Sequence, residues 1–294
     1  MHRFECWLLI NLLVLAAFVL AASSGGLAQG AGSTAAVVRM IPTGKAYIEV
    51  HVRGRGPGLI LLPGTGGDAS QFDGLAPALA ASGFQSIAVS VRAAGRSTGP
   101  LEGLTLHDYA MDVAAVIEAL GVAPAHVLGR AGGNRVARAL AADRPPLVKT
   151  VILVAAGGLV PGDPKAIAAM TSWSQATVPE PQRLAAFQSS MLSPSTDRAR
   201  VKPFATWPAA SKAQRAADAA TPVDEWWTAG NHVPMLVIQG LDDVIAPPGN
   251  GRALRDRFGA RVTLVEIPQA GHALLFEQPE KIASEVAVFL KAHP

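Results

Sequence analysis

The chain has 294 residues, of which 50% are hydrophobic and 16% are charged, and its formal net charge is +3. This composition is typical of a globular protein that is long enough for one large domain with an insert, or for two small domains. The basic residues form no run, so the sequence gives no support to nucleic-acid binding.

The N-terminus carries an apolar run at 7–22, which Arg3 precedes and a stretch of small residues follows. This pattern is typical of a signal peptide with cleavage before Gln29, and the run is shorter than the roughly 20 residues that span a bilayer. We therefore predict a signal peptide over 1–28 and export to the periplasm or the exterior. An uncleaved signal anchor is the alternative, and only the anchor would bring contact with a membrane. The only cysteine, Cys6, lies in this segment, so the mature chain would have no disulfide and no thiolate.

Segments typical of strands and helices alternate from residue 46 to the C-terminus. Period-two alternation or short apolar runs predict strands at 46–52, 58–63, 85–91, 126–129, 150–156, 234–240 and 261–268. Helical spacing and terminal Gly or Pro predict helices at 72–83, 104–121, 133–143, 249–259 and 279–293. Residues 29–45 are assigned to an N-terminal extension. Strands that alternate with helices predict an α/β fold, with a mostly parallel sheet and helices on both of its faces.

The alternation stops between residues 157 and 230. This stretch is rich in Pro and Ala and has no strong strand pattern. Four of the five tryptophans lie in it, at Trp173, Trp207, Trp226 and Trp227. We predict a helical cap insert at 157–230, in a core made of 46–156 and 231–294. Its aromatic content favours a lid over a small, largely apolar ligand, with ordinary core packing of the tryptophans as the alternative.

Ligands of such folds bind at the carboxyl ends of the strands, and five loop motifs follow predicted strands. The motifs are PGTGG (63–67), VRAAGRS (91–97), GRAGG (129–133), GLDDVIAPP (240–248) and QAGHALLFEQPE (269–280). Taken together and in this order, they resemble the α/β-hydrolase superfamily, from about residue 46 to the C-terminus. The resemblance implies the α/β-hydrolase fold and small esters, amides or carbonyl compounds as the class of ligand.

The resemblance also implies roles for residues in these loops. The family's nucleophile elbow, G-x-S-x-G, is a sharp strand-to-helix turn that presents a serine, and Ala131 stands at the serine position here. Asp243 matches the acid of the family and His272 matches its histidine, in the same chain order. For Asp243, a helix-cap or turn role is the alternative. The backbone N–H groups of Thr65 and Gly132 match the two donors of the oxyanion hole.

Alanine at the elbow argues against an acyl-enzyme mechanism, because a methyl group cannot attack a carbonyl carbon. Losing such a serine costs on the order of 10⁶ in turnover. Three interpretations remain open: His272 and Asp243 act as a general base without a covalent intermediate, the site is a binding pocket without turnover, or the alanine is a Ser→Ala substitution in a serine hydrolase. Retention of the acid and the histidine favours the first. No metal and no cofactor are predicted, because no cluster of His, Asp or Glu has the spacing of metal ligands.

Arg130 directly precedes the elbow position. We predict that it contacts an anionic group of the ligand or, as a like charge, disfavours the protonated form of His272. An arginine that faces solvent is the alternative.

Overall fold

The described residues form an eight-stranded sheet flanked by helices. A computed structural model of the chain describes residues 35–175 and 177–294, and the predicted signal peptide at 1–28 lies outside them. The strands are β1 (Val37–Pro42), β2 (Tyr47–Arg53), β3 (Gly58–Leu62), β4 (Gln85–Val89), β5 (Ala125–Arg130), β6 (Val148–Val154), β7 (Met235–Gly240) and β8 (Val262–Ile267). Their order in the sheet is β1-β2-β4-β3-β5-β6-β7-β8. Strand β2 runs antiparallel to both of its neighbours, and the pairs from β4 to β8 are all parallel.

The helices connect the strands and include a group between β6 and β7. Those of the core are α1 (Ala76–Ala81), α2 (Leu106–Leu120), α3 (Gly133–Asp143), α8 (Gly249–Phe258), α9 (Leu274–Glu277) and α10 (Pro279–Lys291). Those of the predicted insert are α4 (Pro164–Trp173), α5 (Glu180–Met191), α6 (Pro208–Ala220) and α7 (Val223–Trp226). None of the helices in the described part of the chain is long and apolar enough to cross a membrane.

The central strands are apolar on both faces because helices cover both. Every residue of β3, β5 and β7 is buried. Ile60 and Val127 lie in one apolar cluster with side chains of α2 and α3, whereas Leu61 and Leu128 lie in a second cluster with side chains of α1 and α10. Successive residues of a strand point to opposite faces, so the two clusters lie on opposite sides of the sheet. The predicted parallel sheet with helices on both faces is confirmed.

Two elements differ from the sequence prediction. Strand β1 lies within 29–45, where no strand was predicted, and it pairs only with β2 at the edge of the sheet. An edge strand has little buried surface, so its pattern of apolar residues is weak: most of β1 is exposed. The helix predicted at 72–83 is shorter and begins at Ala76, with Pro77 in its first turn, because proline fits a helix start and breaks a helix interior.

The last part of the predicted insert packs against the core. Trp226 is buried in the same apolar cluster as α3, and Arg138 of α3 lies over its ring at 4.5 Å. Trp227 packs against Phe258 at a centroid distance of 5.2 Å. Thr221 Oγ1 accepts the backbone N–H of Leu106 at 2.9 Å, at the start of α2. These two tryptophans therefore have core-packing roles.

His107 links α2 to the insert and should make folding stability depend on pH. Its Nδ1 lies 2.7 Å from Asp143 Oδ2 and its Nε2 lies 2.8 Å from Glu225 Oε2. The hydrogen bond to Asp143, followed by the one to Glu225, raises the pKa of His107 above its ordinary value. Because the pKa is higher in the folded state, this contribution to stability is fully present below about pH 6.5 and is lost as the pH rises through the folded pKa.

We expect His107→Gln to lower the free energy of unfolding at about pH 5.5 by at most roughly 1 kcal/mol, because the side chains are partly exposed. The difference should shrink at about pH 9. Urea titrations of both proteins at the two pH values measure it, and an equal effect at both would contradict the assignment.

Candidate active site

Ala131 lies at the tip of the sharp turn between β5 and α3. Its φ is +45°, in the left-handed region that residues other than glycine rarely adopt, and its backbone N–H donates to Val154 O at 2.9 Å. A Cβ added at Gly129 would lie 2.4 Å from Gly133 O, and one added at Gly133 would lie 2.5 Å from Leu62 O. The turn packs so closely on its neighbours that both positions require glycine. This is the geometry of a nucleophile elbow, with a methyl group where the nucleophile would stand.

The close packing at Gly129 can be tested by adding one methyl group. We expect Gly129→Ala to lower the free energy of unfolding by about 2 kcal/mol or more, since its Cβ would meet backbone atoms that cannot move independently. Gly74→Ala is a matched control, because an added Cβ there meets nothing within 4 Å. Chemical denaturation of both variants measures the effect. Equal stability of the two would show that the elbow can relax.

His272 and Asp243 form a buried hydrogen-bonded pair. His272 Nδ1 lies 2.9 Å from Asp243 Oδ2. The other oxygen, Oδ1, accepts the backbone N–H groups of Ile245 at 2.9 Å and Ala246 at 2.8 Å, which fix the orientation of the carboxylate. A carboxylate only accepts hydrogen bonds, so Nδ1 carries the proton and Nε2 is left as a proton acceptor. His272 also lines a cavity at the carboxyl ends of the strands, and its Nε2 has no hydrogen-bond partner among residues 35–175 and 177–294.

Glu277 holds the loop that carries His272. Its Oε2 accepts the backbone N–H of Gly271 at 2.8 Å, and its Oε1 accepts that of Ser193, in the insert, at 2.8 Å. Asp242, the neighbour of Asp243, instead accepts the hydroxyl of Ser193 at 2.6 Å. The two adjacent aspartates thus have different partners: Asp243 orients the histidine, and Asp242 attaches the insert.

The loop after β3 carries one of the two predicted oxyanion donors, Thr65, and the elbow carries the other, Gly132. The backbone N–H of Gly64 donates to Gln71 Oε1 at 3.0 Å, and that of Gly66 donates to Gln214 Oε1 of α6 at 2.5 Å. Between them, the N–H of Thr65 makes no hydrogen bond within the described residues, and neither does the N–H of Gly132 in the elbow. Both residues line the same cavity as His272. The structure therefore brings together two unpaired backbone donors, as an oxyanion hole requires.

A cavity of about 240 Å³ joins these groups. Its wall includes Thr65, Ala131, Gly132 and His272 on the side of the sheet. Apolar side chains of the insert line another part of the wall, and they are Met170, Trp173, Met191 and Phe204. Trp173 is thus the one predicted lid tryptophan that lines this cavity, whereas Trp207 is 37% exposed and donates from Nε1 to Asp68 at 2.8 Å.

Arg130 does not face solvent, so the alternative for this residue is wrong. It is 2% exposed and lines the cavity next to Ala131. Its guanidinium carbon lies 4.5 Å from the ring centroid of Phe204 and 5.2 Å from that of Phe276. The side chain is buried because β5 ends at Arg130 under the insert. The aromatic residues that cover it, Phe204 and Phe276, are distant from Arg130 in sequence.

A model of the alpha/beta hydrolase family matches residues 59–285. The chain belongs to the alpha/beta hydrolase family. BpoC of Mycobacterium tuberculosis (strain ATCC 25618 / H37Rv), which is named as a non-heme bromoperoxidase, is 29% identical over 261 residues, covering 80% of this chain and 94% of BpoC. The crystal structure of BpoC matches with a TM-score of 0.71 and 27% identity, over 84% of this chain and 96% of that one. RutD of Variovorax paradoxus (strain S110), named as a carbamate hydrolase, is 28% identical over 256 residues, or 77% of this chain and 89% of RutD.

The α/β-hydrolase fold expected from the five loop motifs is therefore confirmed. Sequence reasoning missed three polar residues whose side chains accept backbone N–H groups of the loops at the candidate site, namely Gln71, Gln214 and Glu277. Glu277 lies in a quoted motif but received no role, and the two glutamines lie in no motif. In the described part of the chain, no group of three or more His, Asp or Glu side chains could hold a metal ion.

Proposed function

We propose that this member of the family is an enzyme that acts on a small ester, amide or other carbonyl compound through general-base chemistry. His272 is the base, Asp243 orients it, and Thr65 and Gly132 supply the oxyanion hole. The observation that carries the proposal is that His272 Nε2 and two backbone donors lie on one cavity and have no hydrogen-bond partner among the described residues. Since Ala131 has no hydroxyl group, the elbow supplies no nucleophile.

The chemistry follows from these positions. Nε2 of His272 takes a proton from a water molecule, and the water oxygen attacks the carbonyl carbon of the substrate. The carbonyl π electrons move to its oxygen, and the N–H groups of Thr65 and Gly132 stabilise the resulting anion. When the carbonyl group re-forms, the bond to the leaving group breaks and the leaving group takes the proton from the imidazolium. Asp243 stabilises that imidazolium while it is charged.

Turnover by a histidine variant tests the proposal. We expect His272→Gln to lower the turnover of short-chain aryl esters by about 10²–10⁴-fold, the usual contribution of a general base. His232→Gln is the control, because His232 is exposed and lies outside the cavity. If the unchanged chain turns over these esters and His272→Gln turns them over at the same rate, His272 is not the base.

A ligand-binding protein without turnover is the second candidate, and Ala131 at the elbow favours it. Such a protein would bind a small molecule in the same cavity with an affinity that His272→Gln changes little. A ligand that binds stoichiometrically and is recovered unchanged would support this candidate over the enzyme.

A further inference from the structure

Arg130 is a buried cation at the end of β5. Arg130 forms no ion pair within the described residues. The arginines that do pair with a carboxylate there are Arg53, Arg92, Arg96, Arg135, Arg144 and Arg252. Arg130 Nη1 lies 3.4 Å from Gln71 Oε1, and its Nε and Nη2 are buried without a partner in the same part of the chain. Burial of an uncompensated charge and of unpaired donors is strongly unfavourable, which favours a partner for the guanidinium that the described residues do not supply.

The neighbours of Arg130 hold the cation in place without neutralising it. Phe204 and Phe276 stack on each other at a centroid distance of 4.8 Å and both contact the guanidinium. The charge of Asp243 attracts Arg130, but the oxygens of that carboxylate already accept from His272 and from two backbone N–H groups. Burial lowers the pKa of Arg130 to about 10, so the side chain remains protonated at neutral pH.

The charges on the cavity wall leave a positive excess near the elbow. The wall includes three arginines, Arg130, Arg135 and Arg215, and one carboxylate outside the histidine pair, Asp218. Arg135 and Asp218 form an ion pair at 2.6 Å, so Arg130 and Arg215 are not balanced. Fixed positive charge in a low-dielectric cavity raises the local concentration of anions.

We propose that Arg130 is the binding residue for a carboxylate group of the substrate, which makes the substrate a small organic acid that also bears the reacting carbonyl group. The inference deepens the proposed function and rests on it, since it takes this cavity as the substrate site. The planar guanidinium presents Nε and Nη2 side by side, and this pair matches the two oxygens of one carboxylate. The apolar wall formed by Met170, Trp173 and Met191 suits an apolar body on the same molecule.

Access to the guanidinium requires a change in the cavity wall. Nε and Nη2 are covered by neighbouring side chains, and the closer aromatic contact of the cation is Phe204. Phe204 lies in the segment between α5 and α6 that forms neither helix nor strand. A shift of its ring would also change the surroundings of Trp173, which packs edge-on against it at 5.3 Å. Tryptophan fluorescence is therefore a second signal of binding.

Calorimetric titration with matched probes tests the inference without any need for turnover. The pairs are acetate and acetamide, benzoate and benzamide, and phenylacetate and phenylacetamide. We expect at least one acid to bind about tenfold or more tightly than its neutral amide, as a charge-assisted bidentate contact implies. Failure of every acid to exceed its amide in the unchanged chain would overturn the proposal.

Variants assign the preference to one residue. Arg130→Met should abolish the preference for the acid and raise the melting temperature by about 3 °C or more, because it removes an unpaired buried charge. Arg215→Met is the control: Arg215 lines the same cavity but is exposed, and most of the preference should remain. The assignment would be contradicted if Arg130→Met kept the preference for the acid over its amide. It would also be contradicted if only Arg215→Met lost that preference.

The same titration separates this inference from the proposed function. His272→Gln should bind the acids as the unchanged chain does, because His272 is the base and not the anion ligand. Acid binding without turnover of any ester, amide or other carbonyl compound would leave Arg130 as a carboxylate-binding residue and remove the proposed function. Ester turnover that depends on His272 without acid preference would do the reverse.

Discussion

Ala131→Ser is expected to turn the chain into a serine hydrolase that reacts covalently with a fluorophosphonate, whereas the unchanged chain does not react. The positive φ at Ala131, the His272–Asp243 pair and the unpaired donors at Thr65 and Gly132 are all in place without the hydroxyl group. We expect aryl ester turnover to rise by about 10³-fold, a part of the roughly 10⁶ that a triad serine contributes in serine proteases. Intact-protein mass spectrometry and an ester assay measure the two effects.

The double variant Ala131→Ser, His272→Gln is the control for this gain. Its hydroxyl group has no base beside it, so both the adduct and the added turnover should be lost. A single variant that folds normally but forms no adduct would show that the elbow does not point its side chain toward His272. That result would also weaken the proposed function, which depends on the same alignment.

Asp243→Asn is expected to lower His272-dependent turnover by about 10³–10⁴-fold, although the side chain keeps its shape. The backbone N–H groups of Ile245 and Ala246 require an acceptor at the position of Oδ1. The asparagine must therefore turn its oxygen toward them and its NH₂ group toward His272 Nδ1. The histidine then accepts at Nδ1 and carries its proton on Nε2, where it can no longer act as a base.

Asp242→Asn is the matched control, one residue away. Asp242 hydrogen-bonds to the hydroxyl of Ser193 and not to His272. Because this substitution lies outside the His272–Asp243 pair, turnover should stay within about twofold of the original. Nitrogen chemical shifts of the His272 ring report the tautomer directly. Equal losses of turnover in both variants would point to a shared effect on folding of this loop.

The core of the fold could be predicted from sequence because its signals are local. Strands β3, β6 and β7 are short apolar runs between turn residues, and such runs form buried parallel strands wherever helices cover both faces. Strand β1 could not be predicted, because pairing on one side leaves its residues exposed and without a clear pattern. The elbow could be recognised from Gly129 and Gly133, because the close approach of the backbone restricts both positions to glycine.

The candidate site was predictable only where a loop motif carried it. Asp243 and His272 were placed by motif and chain order, and the structure brings them into contact. Gln214 could not be found in this way, since it accepts from Gly66 across 148 residues and a glutamine on a helix has no local signature of that contact. The burial of Arg130 was also hidden, because its aromatic neighbours lie on distant segments.

The contacts of α6 and α7 limit which segments related chains can exchange by recombination. Gln214 holds the loop after β3, Thr221 accepts from the start of α2, and Trp226 fills part of the main core. A chimera that takes all of 157–230 from another family member would lose these contacts and disturb the loops of the candidate site together with the core. Recombination that preserves these contacts must join the chains before Trp207, and an exchanged segment at 157–206 must still supply the contacts that Ser193 makes with Asp242 and Glu277.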